Sequence, residues 1–315
     1  MQRMKRGIST FPFLLIFSLI AGAVILTFFF GFGQDLLGLS GRYNSLSLAK
    51  NIDQQLAAFT FASHAHNVIP FGKKADVSVS CSNGESIISV DDQSLPTQKL
   101  ILAPTVLRGN SLRAWTLSWD YPFKVENFYF LFDDDVSYFF QDTLQGKETY
   151  FKTTFKAIKN DISLLSSTLP HIKKIIVLFR DSNVNYFNYP HVLRVVKIDF
   201  RDKKILISTP SENKEFTLLG DPLAYAALFT QSIKDYECVQ KEAIERLNTL
   251  TELHVLKTLM LRDLTEDSCL YDITYLDELK SQEQYPPLTY PDAAQNLEVY
   301  NKNLELANCP GIYLQ

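Results

Sequence analysis

Four cysteines are the residues of this 315-residue chain best suited to covalent chemistry. Cys81, Cys238, Cys269 and Cys309 lie far apart in the sequence, and none belongs to a C-x-x-C pair. This spacing argues against a zinc ribbon or a redox motif, and outside the cell it favours two disulfides. The alternative, for a cytoplasmic domain, is four buried free thiols.

Helix geometry narrows the three connectivities that four cysteines allow. If residues 234–264 form one straight helix, Cys238 and Cys269 lie about 40 Å apart, too far for a disulfide. A last helix that packs antiparallel to it would bring Cys309 back toward its start. We therefore predict a Cys238–Cys309 bridge and leave Cys81 and Cys269 either bridged or free.

Two short clusters have side chains that bind metals elsewhere. His64 and His66 form an H-x-H pair, but no third ligand follows, so surface histidines are the favoured interpretation. Asp133, Asp134 and Asp135 supply hard oxygens for Mg²⁺ or Ca²⁺, yet three consecutive residues cannot all face one ion. We predict a solvated acidic turn on which catalysis does not depend, and no metal or cofactor site.

Standard catalytic signatures are absent from the sequence, which contains no G-x-S-x-G, H-E-x-x-H, P-loop or G-x-G-x-x-G. A catalytic triad assembled across the fold stays open, because geometry and not spacing defines it. The best recognition candidate is the loop 183–190, which presents Tyr186, Phe187, Asn188 and Tyr189. Aromatic and amide side chains are common in binding loops, and also in loops generally.

The longest apolar stretch runs from Phe11 to Phe32, 22 residues with no charge. As a helix it would be about 33 Å long, close to the thickness of a bilayer's hydrocarbon core. Arg3, Lys5 and Arg6 precede it, which predicts a cytoplasmic N-terminus and an extracytoplasmic 34–315. A cleavable signal peptide is the alternative, but its apolar region is typically shorter.

The segment Lys5 to Ser9 (KRGIS), followed by this apolar stretch, resembles the class III signal of archaeal prepilins and other pilin-like proteins. The resemblance covers about the first 30 residues. It implies that a peptidase cuts after Gly7 on the cytoplasmic side and that the helix stays as an anchor or filament core. A plain single-pass anchor is the alternative.

The net charge of the chain is −4, although three basic residues stand at its N-terminus, so the remainder is acidic. An acidic domain is not expected to bind nucleic acid. The expected partners are the lipid bilayer and other envelope proteins. The expected location is the cell membrane, with most of the chain outside the cytoplasm.

Periodicity predicts both helices and strands. An amphipathic helix is predicted over 44–63, and Asn83-Gly84 between alternating runs predicts a hairpin. Asn127–Phe132 predicts a strand buried on both faces, with 136–140 as its hairpin partner. A helix over 150–168 follows. Further predicted elements are strands at 99–103, 112–119, 172–179 and 216–219, a 192–200/204–208 hairpin, a parallel crossover ending at Phe179, and a helix capped by Asp221.

We therefore expect an α+β fold with an N-terminal transmembrane helix, a mixed, mainly antiparallel sheet with one long helix, and a helical C-terminal subdomain. The expected units are a basic tip and anchor (1–33), a linker with an amphipathic helix (34–70), an α+β ectodomain (71–220) and a helical subdomain packed on it (221–315).

The function expected from these features is that of a membrane-anchored extracytoplasmic protein acting by protein–protein contact, pilin-like if the resemblance holds. The alternatives are an anchored hydrolase using the acidic turn or a histidine, and a ligand-binding module using the 183–190 loop. An enzyme predicts a deep pocket where a histidine contacts a carboxylate, whereas a contact protein predicts a flat or apolar exposed patch.

Overall fold

The structure is a computed structural model. It describes residues 20–27, 43–59, 64–141, 146–159, 162–164, 173–180, 185–264, 269–280 and 290–313. Within these ranges the protein is α+β, with two mixed six-stranded sheets and seven α-helices. The expectation of one mainly antiparallel sheet is wrong, because the strands divide between two sheets.

The first sheet has the strand order β3-β2-β1-β5-β6-β4, and β4 runs parallel to β6 at one edge. Its strands are β1 (His66–Ser82), β2 (Glu85–Val90), β3 (Gln93–Thr97), β4 (Leu100–Leu102), β5 (Leu107–Asp120) and β6 (Lys124–Phe132). The β1–β2 hairpin turns at Asn83 and Gly84, both with positive φ, so the predicted hairpin is confirmed.

The second sheet has the order β12-β11-β10-β9-β7-β8, and its four strands β8, β7, β9 and β10 are parallel. Its strands are β7 (Val136–Phe140), β8 (Ile162–Leu164), β9 (Lys173–Leu178), β10 (Val192–Asp199), β11 (Lys204–Ser208) and β12 (Asn213–Thr217). The predicted parallel crossover is confirmed by the β7–β9 pairing. The predicted hairpin of β6 with β7 is wrong, because β7 belongs to this second sheet.

The crossover helix, Lys147–Ile158, is shorter than predicted. Phe151 and Phe155 are its buried residues, and the apolar pattern that continued beyond it belongs to a strand. Ile162 pairs with Tyr138 in the parallel β7–β8 ladder. An apolar residue four positions after Ile158 fits a helical stripe and a strand equally well, so spacing alone could not place the end of the helix.

The main core encloses the helix Asp221–Phe229, in which every residue from Pro222 to Phe229 is buried. Aromatic side chains of β6 and β7 pack around it, and the rings of Phe130 and Phe229 lie 4.9 Å apart. Asp221 is the first helical residue and Gly220, with φ 92°, is the N-cap, so the predicted Asp221 cap is wrong by one position.

A second core lies on the other face of the first sheet. A helix over 43–57 covers it with Ala49, Ile52 and Leu56, all fully buried against side chains that include Tyr129. The 3.6-residue periodicity therefore identified this helix, although the helix ends at residue 57 and the prediction extended to 63. Since Tyr129 faces this core while Phe130 faces the main core, β6 is buried on both faces, as predicted.

The long helix, Ile233–Leu264, agrees with its prediction to within one residue. A short helix, Thr274–Leu279, packs against it, and the last helix, Tyr290–Leu306, packs against that short helix. The C-terminal part of the chain is thus assembled stepwise on the long helix.

Two disulfides connect the four cysteines, and the predicted Cys238–Cys309 bridge is wrong. Cys81 pairs with Cys238 and Cys269 with Cys309, each with Cα atoms 5.8 Å apart. The last helix packs on Thr274–Leu279, which places Cys309 near Cys269. The start of the long helix instead lies against β1, which carries Cys81.

The structure also corrects the transmembrane helix in the expected fold. Of the stretch Phe11–Phe32 it describes residues 20–27, which are helical. The remaining residues of that stretch, together with Arg3, Lys5 and Arg6, lie outside the described residues. No helix in the described ranges is long and apolar enough to cross a membrane.

Candidate functional site

A cleft of about 620 Å³ opens at the carboxyl ends of the parallel strands in the second sheet. Here β7 and β9 are neighbours, although the chain forms β8 on the far side of β7 before it returns to β9. Such a reversal of the strand order is a topological switch point, which is where open α/β sheets bind ligands. We call this cavity the carboxyl-edge cleft.

Hydrogen bonds from side chains to backbone shape the rim of the carboxyl-edge cleft. Gln141 Oε1 accepts from the amides of Phe179 (3.0 Å) and Arg180 (3.2 Å), which links the ends of β7 and β9. Asp199 Oδ1 accepts from the amide of Arg201 (3.0 Å) and fixes the turn after β10. These hydrogen bonds hold the backbone of Phe179, Arg180 and Arg201 at the rim.

Charged and aromatic side chains line the carboxyl-edge cleft. Lys147 pairs with Asp221 at 3.0 Å, and its Nζ lies 5.1 Å from the centroid of the Phe200 ring. The Phe200 ring stacks with Phe179 at 6.0 Å. The described lining residues are Gly146, Lys147, Glu148, Phe179, Arg180, Lys197, Asp199, Phe200, Arg201 and Asp202.

A second cavity, of about 590 Å³, adjoins the first and shares Lys147 and Phe200 with it. Its other described lining residues are Asp120, Tyr121, Pro122, Lys203, Leu218, Gly220, Ala294, Gln295 and Glu298. Lys203 pairs with Asp292 of the last helix at 2.9 Å, so this cavity lies between the sheets and the C-terminal helices.

The second candidate surface is on the long helix. Leu253, Leu256, Met260 and Leu264 are 56%, 54%, 65% and 78% exposed. Their spacing of three, four and four residues places them on one face of the helix, over about 16 Å. Isolated exposed leucines need no explanation, but a row of four on one face is typical of interaction sites. We call these four residues the apolar stripe.

The charges beside the apolar stripe already have partners within the molecule. Glu252 pairs with Lys280 at 2.8 Å. Lys257 Nζ donates to the carbonyl oxygens of Gly311 (3.1 Å) and Ile312 (2.7 Å). The stripe is therefore an apolar surface between polar groups whose charges do not require an external partner.

The predicted recognition loop is partly buried. Tyr186–Asn188 forms a 3₁₀ turn, and Tyr186 packs into a small cluster with Phe139 and Ile176 on the outer face of the second sheet. Phe187 packs against the same cluster, whereas Asn188 and Tyr189 are exposed. None of these four residues lines either described cavity.

The acidic turn Asp133–Asp135 links β6 of the first sheet to β7 of the second sheet. Its Asp133 carboxylate accepts from the amides of Asp135 (3.0 Å) and Arg108 (3.3 Å), and burial raises the pKa of Asp133. Asp134 pairs with Arg113 at 3.2 Å. Within the described residues, no group of three or more histidines, cysteines and carboxylates could hold a metal ion.

The described histidines do not line either cavity. His64 and His66 are exposed at the start of β1, and His191 is exposed before β10. His254 is half-buried beside Phe123, with ring centroids 4.4 Å apart. The pairing of a histidine with a carboxylate that a hydrolase would need is thus not formed by the described lining of these cavities.

Sequence reasoning missed both candidate surfaces. The carboxyl-edge cleft combines residues from 146 to 202, which only the strand order brings together. The apolar stripe did leave a signal, because leucines occur on more than one side of the long helix. Leu250 and Leu261 pack against the core, whereas Leu253 and Leu256 lie on the outer face.

Comparisons with known protein families, with curated proteins and with solved structures found no match to this chain.

Proposed function

We propose that this protein acts outside the cytoplasm by protein–protein contact and that the apolar stripe is its contact surface. The observation that carries the proposal is the exposure of four apolar side chains in one row, Leu253 to Leu264. Burial of apolar surface is worth about 25 cal/mol per Å², so a partner that covers this row gains binding energy without new charge pairing.

The two disulfides support the extracytoplasmic location. All four cysteines lie in the described residues and none is free. Disulfides persist in oxidising compartments and are rare in the reducing cytosol. The proposal does not require the lipid bilayer as a partner, and it includes no nucleic acid because the chain is acidic.

The surroundings of the stripe define the chemistry of the partner. Glu252 and Lys257 already have partners within the molecule, so charged groups of the partner gain little there. A helical surface with anchors at three- and four-residue spacing fits the apolar face of another helix. We therefore assign the partner as an envelope protein that presents an amphipathic helix. A pilin-like assembly, in which the partner is a second copy, is a special case.

Site-specific photo-cross-linking in intact cells tests the proposal. A photoreactive residue at position 256 should give one discrete adduct, and the same residue at position 262, on another face of the helix, should not. Met260→Glu should abolish the adduct, because it introduces a charge into the stripe. Met260 is exposed, so the variant should unfold at the same denaturant concentration as the parent protein.

The cross-linked protein, once identified, should bind the purified chain and lose that binding with Met260→Glu. An adduct between two copies of the chain would select the pilin-like case. Equal cross-linking from positions 256 and 262, or an adduct insensitive to Met260→Glu, would refute the stripe as the contact surface.

A further inference from the structure

We propose that the carboxyl-edge cleft is a separate binding site for a small organic anion, whose carboxylate or phosphate group is attached to a planar apolar body. The site uses the second sheet and its turns, whereas the apolar stripe lies on the long helix. Either proposal can therefore be refuted without affecting the other.

The location and the size of the cleft suit a small molecule. Ligand pockets typically have volumes of about 300–1,000 Å³, and the carboxyl-edge cleft has about 620 Å³. It lies at the switch point between β7 and β9, where the strand order of an open α/β sheet leaves a crevice. Gln141, which bonds to two amides across these strands, keeps that crevice in place.

Two arginine side chains of the cleft favour an anion. Lys147 is paired with Asp221, and Asp199 is engaged by the turn that follows β10. Lys197 and Glu148 also interact within the molecule. The remaining cationic residues of the described lining are Arg180 and Arg201.

No side-chain hydrogen bond or ion pair joins either guanidinium to another residue in the described part of the chain. Both residues line the cleft. The remaining carboxylate, Asp202, lies close to Lys204. Together with Glu215, the dominant cause, it raises the pKa of that lysine. Arg180 and Arg201 are therefore the cationic groups of the described lining that are available to an external anion.

The aromatic residues favour a planar body on the anion. Phe179 and Phe200 stack with an interplanar angle of 19° and form an apolar wall of the cleft. A guanidinium binds carboxylates and phosphates through paired N–H groups in one plane. In the proposed complex the anionic group of the ligand binds Arg180 and Arg201, and its ring packs against the Phe200 side chain.

Binding of two simple probes to the full chain tests the inference. Phenyl phosphate and benzoate share the ring and differ in the anion, and inorganic phosphate lacks the ring. We expect calorimetry to show binding of at least one ring-bearing probe, more tightly than inorganic phosphate. The ratio of the dissociation constants of phenyl phosphate and benzoate identifies the preferred anion.

Variants at three positions locate the site. Arg180→Gln and Arg201→Gln should each weaken binding of the ring-bearing probe about tenfold or more, the usual effect of losing a charge-assisted hydrogen bond. Arg262→Gln, an exposed arginine on the long helix, is the matched control and should leave binding unchanged. Phe200→Leu should weaken the ring-bearing probe but not inorganic phosphate.

Two results would overturn the inference. One is no detectable binding of either ring-bearing probe at millimolar concentration. The other is binding that Arg180→Gln and Arg201→Gln leave unchanged. Neither result would alter cross-linking from position 256, so failure here is distinguishable from failure of the proposed contact function.

Discussion

The two halves of the long helix use their apolar residues in opposite ways. In the amino-terminal half, 233–248, they are buried in the main core. In the carboxyl-terminal half, 249–264, four of them form the exposed stripe, and Leu250, Val255 and Leu261 are only partly buried against the core. The buried apolar residues are Ile233, Tyr236, Val239, Ala243, Ile244 and Leu247. After Leu247, the residues of this fully described helix that are completely buried are two threonines, Thr251 and Thr258.

The amino-terminal half of the helix is also attached to the first sheet by covalent and polar contacts. Cys238 bonds covalently to Cys81, and Asp235 accepts from the Cys81 amide at 3.0 Å. Arg246 pairs with Glu126 of β6 at 2.7 Å. The carboxyl-terminal half contacts the C-terminal segment through Lys257. The comparison teaches that one helical periodicity can bury apolar residues at one end of a helix and expose them at the other.

The disulfides should have the largest effects on stability. Cys81–Cys238 joins residues 157 apart and secures the amino-terminal half, whereas Cys269–Cys309 joins residues 40 apart beyond the other end. On the chain-entropy model, replacing both cysteines by serine should cost about 5 kcal/mol for the first pair and about 4 kcal/mol for the second. Denaturant unfolding of the two double variants measures this order, and the reverse order would contradict it.

Truncation of one leucine in each half should separate packing from exposure. Leu247→Ala removes a fully buried side chain from the main core and should cost about 3 kcal/mol of unfolding free energy. Leu256→Ala, at a side chain 54% exposed, should cost less than about 0.5 kcal/mol. Urea denaturation of both variants provides the comparison. Equal losses would mean that the stripe is part of the core.

Glu242 should make the amino-terminal half sensitive to pH. Burial raises its pKa to about 7, although Arg246 lies beside it and favours the ionised form. Below about pH 4.5 this carboxyl is protonated in both the folded and the unfolded states, so it has no effect there. As pH rises through about 7, the folded protein must ionise it at a cost, and stability falls by about 2 to 3 kcal/mol.

Glu242→Gln should abolish that decrease. The measurement is the free energy of unfolding of the parent and the variant at several pH values. A difference between them that does not vary with pH would show that the carboxyl titrates normally. Glu245→Gln, one turn away and largely exposed, is the matched control.

Sequence patterns predicted single helices, strands and turns well where one local feature determines the structure. The hairpin at Asn83-Gly84 follows from two residues that tolerate positive φ, and the aromatic run from Asn127 predicted a fully buried strand. The long helix was predicted because its periodicity persists over 32 residues. Each of these features depends on neighbours in sequence.

Sequence patterns failed where the structure depends on which distant segments of the chain pack together. Asp133–Asp135 has the composition of a hairpin turn, yet it carries the chain from β6 in one sheet to β7 in the other. The disulfide prediction failed for the same reason, because the last helix packs on Thr274–Leu279 and not along the long helix. The carboxyl-edge cleft depends on the order of four parallel strands, which spacing does not determine.

The smallest expected effect distinguishes the two halves by the sign of their pH dependence. His254, in the carboxyl-terminal half, is half-buried beside Phe123, and burial lowers its pKa even though it hydrogen-bonds to the backbone at Ile312. At high pH the ring is neutral in both states and has no effect. As pH falls below about 6.5, the unfolded chain gains a proton more readily than the folded protein, and stability is lost.

The two halves should therefore respond to pH in opposite directions, and variants separate them. In a Glu242→Gln background, stability should rise as pH increases toward about 6.5, because the folded protein binds the imidazole proton less readily than the unfolded chain does. Adding His254→Gln should remove the rise. Urea unfolding across this range measures it. A stability that instead falls with pH in the Glu242→Gln protein, and is unaffected by His254→Gln, would show that the carboxyl-terminal half contacts its surroundings too loosely to shift the imidazole.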